Sequence, residues 1–119
     1  MIGFEDMALY VCQSEDNNYY ASHRFDSSED AAGMIYLDFR CSLWPASDNM
    51  VLYGHNMRDG SRFGKLKRYT DLGYLTENST IRFATLYEVG EYTPISVFYT
   101  SVNPEDEDYF DFAQVSFSD

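Results

Sequence analysis

The sequence predicts a mainly β domain with short helices, its strands rolled into a sheet or barrel. Three observations carry this. Apolar and polar residues alternate through 33–40, 80–86 and 92–101, the two-residue period of a half-buried strand. Between the first of these and an apolar run at 50–55, residues 42–48 have turn chemistry around Pro45. Aromatic residues make up 18% of the chain, 11 Tyr and 9 Phe among them, and disordered chains are poor in aromatics.

The elements follow in order. Residues 8–13 read as a short strand, 14–18 as a polar connection, and Tyr19-Tyr20-Ala21-Ser22-His23 as one or two helical turns. In 33–40, Ile35, Leu37 and Phe39 share one face, with Tyr36, Asp38 and Arg40 on the other. If this strand and 50–55 close symmetrically about Pro45, Phe39 faces Val51, Leu37 faces Tyr53 and Ile35 faces His55. His55 then ends an apolar row. Asp59-Gly60-Ser61 is a turn suited to capping a helix, after which Phe63, Leu66 and Tyr69 recur at helical spacing. Residues 71–78 suggest a further short helix. Ile81 and Phe83 share a face of the strand at 80–86, and Ile95, Val97 and Tyr99 of the one at 92–101. Pro94 cannot donate to a ladder, so it belongs near a strand start or a bulge. An acidic run, 105–111, precedes an aromatic tail, 110–117. Trp44 beside Pro45 reads as a hairpin-tip aromatic packed on its own turn.

At 119 residues the chain makes one domain with a modest core. Eight basic residues against 20 acidic ones give a net charge of −12, which argues against nucleic acid as a partner, since a phosphate backbone needs clustered cations. Five of the eight basic residues (Arg58, Arg62, Lys65, Lys67, Arg68) fall together and read as a solvated helix face, with attraction to an anionic wall polymer as the alternative. Cys12 and Cys41 form one bridge at most, and neither has metal-ligand spacing, so no zinc site and no cofactor are expected. The acidic run lacks the glycine and terminal Glu of a calcium loop. No stretch approaches the ~20 apolar residues of a membrane span, and the N-terminus lacks an export signal. The chain as given reads as soluble, with no anchor.

The segment Leu52-Tyr53-Gly54-His55-Asn56-Met57-Arg58-Asp59-Gly60-Ser61-Arg62-Phe63-Gly64-Lys65-Leu66 resembles the class B sortase stretch around its catalytic histidine. Asp16-Asn17-Asn18-Tyr19-Tyr20 and Ala32-Gly33-Met34-Ile35-Tyr36-Leu37-Asp38-Phe39-Arg40 upstream fit the same family in order and spacing. So do Ser79-Thr80-Ile81-Arg82-Phe83 and Ile95-Ser96-Val97-Phe98-Tyr99 downstream. The resemblance runs from about Leu9 to Tyr109. It implies a sortase-type β-barrel with short helices on its rim, working at the extracellular face of the cell membrane. It also implies a thiolate that attacks the backbone carbonyl of a sorting-signal peptide, the acyl-enzyme being resolved by an amine on a cell-wall precursor. Nucleophile, proton-transfer group and oxyanion donor are then Cys, His and Arg. By position His55 is the histidine, acting as acid towards the leaving amine. Asn17 matches a position near the sorting-signal groove. Ala21, four residues on, stands where relatives carry a larger aliphatic.

The chain departs from the pattern in one respect. The family's Cys and Arg come later, on the last two barrel strands, whereas here no Cys follows Cys41 and no Lys or Arg follows Arg82. The expectation is a single sortase-like domain over 1–119, a barrel incomplete at its C-terminal strands, and a chain inactive alone. Bare barrel edges invite self-association. Cys41, beside Asn49, lies six strand residues from His55, roughly 20 Å at ~3.3 Å each, far beyond nucleophile–base reach. Cys12, in a strand, reads as a small buried residue. A non-catalytic binding or structural protein is the alternative function. Two residues keep alternatives as well. His55 by spacing alone is a histidine closing an apolar strand on nearby backbone, and Asn17 is a turn residue bonding its own backbone. His23 reads as a surface or turn histidine.

Overall fold

Short strands in two sheets, with helical turns packed between them, follow from the alternating segments of the chain. The computed structural model describes residues 1–5, 7–100, 103, 105 and 107. The first sheet is antiparallel, in the order β2 (Met7–Leu9), β1 (Ile2–Phe4), β6 (Ile81–Ala84), β7 (Val89–Tyr92). The second has the order β3 (Val11–Cys12), β4 (Ile35–Leu37), β5 (Leu52–Tyr53), with β3 parallel and β5 antiparallel to β4. No closed barrel forms among the described residues, so the architecture is mainly β with an incomplete barrel. The acidic run and aromatic tail lie outside the described residues, apart from Glu105 and Glu107.

The strand at 8–13 divides into the end of β2 and β3, which belong to different sheets, with exposed Tyr10 at the break. β1 was not expected, because three residues are too few to show a period. β6 falls within its expected range. The strand expected at 92–101 is not found. β7 precedes it, Pro94 lies two residues beyond β7, and residues 93–100 form no strand, with Ile95 98% exposed. Without a neighbour offering backbone groups, an alternating pattern does not make a strand.

The β4–β5 register also differs from expectation by one residue. Leu37 pairs with Leu52 and Tyr36 with Tyr53, and Asp38 N–H donates to Val51 O (2.8 Å). The connection explains why. Leu43 bridges Ala46 and Ser47 N–H donates to Ser42 O, so the chain turns between Trp44 and Pro45 and not on Pro45. A single-residue slip changes every cross-strand partner. Phe39 therefore leaves the apolar row and is 48% exposed. Trp44 stacks on Tyr87, from the β6–β7 connection (5.9 Å between ring centroids), and not on its own turn.

Helical turns fill the rim. Tyr19–Ala21 and Gly64–Thr70 are 3₁₀ segments, and α1 spans Leu72–Glu77. The short helix expected over 71–78 is α1, and Asp71 caps it, its side chain accepting from Gly73 N–H. Asp59 does not cap a helix. Its carboxylate accepts from Ser61 N–H and Oγ, closing a turn five residues before Gly64.

Two apolar groups make up the core. Leu37, Cys41 and Val51 are buried with Val11, Leu43 and Leu52 against them. Phe4, 1% exposed, lies tilted on Phe63 (6.4 Å) and edge-on to Tyr69 (6.3 Å), joining β1 to the 3₁₀ segment Gly64–Thr70, which follows β5 and His55. Phe4→Ala removes the shared partner of both rings. The expected loss is about 3–5 kcal/mol, read as a lowered urea midpoint with unchanged slope.

Candidate functional site

The site is built on a carboxylate that the alternation pattern places on the face opposite Ile35, Leu37 and Phe39. Asp38 is completely buried. Its Oδ1 accepts from Arg40 N–H and Nε (both 2.9 Å), and its Oδ2 from Arg40 Nη2 (2.9 Å), Tyr53 OH (2.9 Å) and Asn17 Nδ2 (3.0 Å). A buried charge is tolerated when its lone pairs are filled in this way. Chiefly the Arg40 bonds, with the backbone, Tyr53 and Asn17 bonds adding, hold this carboxyl well below the usual range against the opposing effect of burial. Burial first, then the bond to Asp38, pushes the Tyr53 phenol up to about 12. Tyr36 stacks on Tyr53 (5.2 Å) and closes the face of the cluster.

From Asp38 two arms reach the histidine. Asn17 forms one, its Oδ1 accepting from Phe39 N–H (2.9 Å) while its amide donates to Asp38. The local turn belongs to Asp16, whose Oδ1 accepts from Asn18 N–H and Tyr19 N–H (both 2.9 Å), so Asn17 is not the residue bonding its own backbone. The 3₁₀ turn Tyr19–Ala21 follows and ends at the Ala21 carbonyl. Tyr53, two residues before His55, forms the other arm. The arms meet where His55 Nε2 lies 2.7 Å from Ala21 O.

A carbonyl only accepts, so Nε2 carries the proton and the neutral ring keeps its lone pair on Nδ1. The histidine is exposed. Its carbonyl accepts from Phe63 N–H (3.0 Å), closing the turn that follows. Gly33, at φ +57°, lets backbone lie against backbone here: a Cβ would overlap Tyr20 O and sit 2.7 Å from Ala21 C and O. The structure thus brings His55 and Ala21 together and sets Asn17 against Asp38. His23 is a turn histidine, with Nδ1 2.8 Å from Tyr19 O and its ring stacked on Tyr19.

Comparison with known proteins decides the family. No family model matches the chain. Sortase B of Listeria monocytogenes is 34% identical over 112 residues, covering 87% of this chain and 46% of the relative. A crystal structure of sortase B from Bacillus anthracis superposes with a TM-score of 0.79 at 31% identity, over 92% of this chain and 53% of that one. This chain is a class B sortase-like protein. The Staphylococcus aureus sortase B–substrate complex shares the fold, with a TM-score of 0.86 at 24% identity over 99% of this chain and 53% of that one. The sortase-like chain spans about half the length of the relatives it matches.

Neither cysteine of the sortase-like chain is poised as a nucleophile. Both are free thiols. Cys41 is 5% exposed, and its Sγ donates to Asn49 O (3.4 Å) and accepts from Val51 N–H (3.5 Å), beside Asn49 as expected. Cys12 is half-buried in β3, and burial pushes its thiol up. Among the described residues no cluster of three His, Cys, Asp or Glu side chains converges to hold a metal, and no helix is long and apolar enough to cross a membrane. A cavity of about 570 Å³ opens beside the histidine strand, with Gly54 and Asn56 in its wall together with Phe63, Leu66 and Val97. Alkylation by iodoacetamide at pH 7 checks the state of the thiols. Cys41 stays unmodified in the folded protein, and Cys12 reacts more slowly than free cysteine, its rate still rising above pH 9.

Proposed function

We propose that this chain forms the histidine-bearing part of a cysteine transpeptidase that cleaves a sorting signal and joins the released protein to the cell wall. It works at the extracellular face of the membrane, and the 119 residues alone are inactive. The observation that carries this reading is the ring of His55, exposed and fixed through Nε2 on the Ala21 carbonyl, within a class B sortase-like fold. One ring nitrogen is anchored and the other is left for proton transfer, as a general acid–base requires.

In this reading a thiolate adds to the sorting-signal carbonyl. The C–N bond then breaks, and the departing amine takes its proton from the His55 imidazolium. The incoming cell-wall amine attacks the thioester, the thiolate leaves, and the imidazole takes up the surplus proton. Ala21 lines the sorting-signal groove and anchors the ring, while Asn17 holds the turn that carries Ala21. That the Staphylococcus aureus structure is a sortase B–substrate complex supports a substrate site on this fold. The thiolate and the oxyanion donor are not supplied by the groups described above. Cys41 is bonded within the core, and the Arg40 guanidinium is engaged by Asp38.

The engaged thiol of Cys41 favours a second reading, a non-catalytic sortase-like binding protein that keeps the groove. Turnover by the native gene product separates the two. With a sorting-signal peptide and an amine acceptor, mass spectrometry is expected to show the transpeptidation product from that protein. His55→Ala is expected to lower its rate by about 10²–10⁴-fold, and the 119-residue chain should give no product. Product from the isolated chain, or an unaffected His55→Ala variant, contradicts the first reading. Peptide binding without turnover by the native protein establishes the second.

A further inference from the structure

Arg62 was grouped by sequence with a solvated basic face, but it is drawn inward. Its side chain is 22% exposed, its Nε donates to Gly33 O (2.6 Å), and its Nη2 lies 3.5 Å from Asp30 Oδ2. Its backbone takes φ +55°, an uncommon conformation for a side chain of this size. It sits in the isolated bridge with Asn56, next to Phe63, whose N–H donates to His55 O. Arg62 therefore belongs to the same turn as His55, at the opposite end.

Its target is the loop that presents the histidine anchor. Met34 N–H donates to Tyr20 O (2.8 Å), Asp30 N–H donates to Ser22 O (2.9 Å), and Gly33 lies directly against Ala21. Asp30 Oδ1 also accepts from Ala32 N–H, so the carboxylate that meets Arg62 shapes the loop it belongs to. The turn from His55 to Phe63 and the loop from Tyr20 to Met34 are thus tied at two points. The imidazole lies on the Ala21 carbonyl, and the guanidinium on the Gly33 carbonyl. The imidazole is exposed, and among the described residues one side-chain hydrogen bond holds it. The guanidinium makes a charge-assisted bond beside an ion pair, which is the stronger of the two ties.

We propose that Arg62 is the positioning residue of His55: by clamping Gly33 it sets the separation of turn and loop at which Nε2 reaches the Ala21 carbonyl. Its consequence for catalysis rests on the reading of His55 as the proton-transfer histidine; its effect on ring geometry does not. A guanidinium is suited to the task because it bonds a carbonyl and a carboxylate together from one rigid plane.

The test is exchange of the His55 Nε2 proton with water, followed by NMR on the ring-¹⁵N-labelled full chain. The chain has two histidines, so a His23→Gln sample assigns the signal. Arg62→Ala is expected to speed exchange by about tenfold or more. Arg62→Lys, which keeps the charge but loses the fork, should fall between that and the parent. Arg58→Ala, in the same turn and with the same loss of charge, should leave exchange unchanged. Equal exchange in Arg62→Ala and Arg58→Ala overturns the proposal. Should Arg62→Ala fail to fold, Asp30→Asn carries the test, read against Arg24→Ala because Asp30 Oδ2 pairs with Arg24 Nη1 (3.5 Å) as well as with Arg62; it keeps an acceptor for Ala32. A several-fold rise supports the clamp, and an unchanged rate overturns it. None of these readouts involves turnover, so a silent enzyme and a misplaced clamp are told apart.

Discussion

A single carboxylate organises this site. Asp38 is ionised in the interior and surrounded by donors from Arg40, Tyr53 and Asn17, and each of them belongs to a different part of the problem. Arg40 supplies the counter-charge at the rim, Tyr53 belongs to the histidine strand, and Asn17 opens the loop that ends at Ala21. Taking away the carboxylate would remove the acceptor shared by half-buried Asn17 and Tyr53 and the exposed Arg40. Taking away a donor would leave a buried charge short of partners, which is the costlier loss. Neither outcome is local, because the two segments joined at Asp38 are the ones that must present Ala21 and His55 to each other.

That arrangement separates the His55 imidazole from the Cys41 thiol. The imidazole sits on backbone at the exposed end of the histidine strand, whereas Cys41 is hydrogen-bonded within the core near the opposite end. A histidine built into a rigid carbonyl contact keeps one tautomer and one orientation, which suits it to give and accept a proton at a fixed place. The class B sortase-like fold and the position of His55 point the same way, and the Cys41 thiol is engaged within the core.

Several features were legible in the sequence because local chemistry alone determines them. Asp71 announces the start of α1, and β6 lies where alternation placed it. The motif around His55, together with its companions upstream and downstream, was enough to name the family. Other features depend on partners distant in the chain. Alternation placed Asp38 opposite the apolar row, and only the three-dimensional arrangement of Asn17, Arg40 and Tyr53 buries its carboxylate. Placing the turn on Pro45, and not between Trp44 and Pro45, shifted the register by one and put Phe39 in the core. Ile95, Val97 and Tyr99 have a strand's alternation, but no neighbouring strand pairs with them among the described residues. Arg62 looked like its basic neighbours because composition does not show which cation turns inward.

The comparison that tests the role of Asp38 most directly is the stability of the protein and of Asp38→Asn across pH, by urea unfolding from pH 7 to pH 2. In the unfolded chain this carboxyl takes up its proton near pH 4, whereas in the folded protein it does so well below that. Its stabilisation is therefore fully present above the unfolded value and is lost as the pH falls through and below it. At pH 7 the substitution is expected to cost about 3 kcal/mol, the lower end for a broken buried pair because Arg40 is 43% exposed. The gap between the two proteins should narrow steadily below about pH 4, while carboxylates shared by both cancel in the difference. A gap that stays constant to pH 2, or one that is missing at pH 7, would contradict the account.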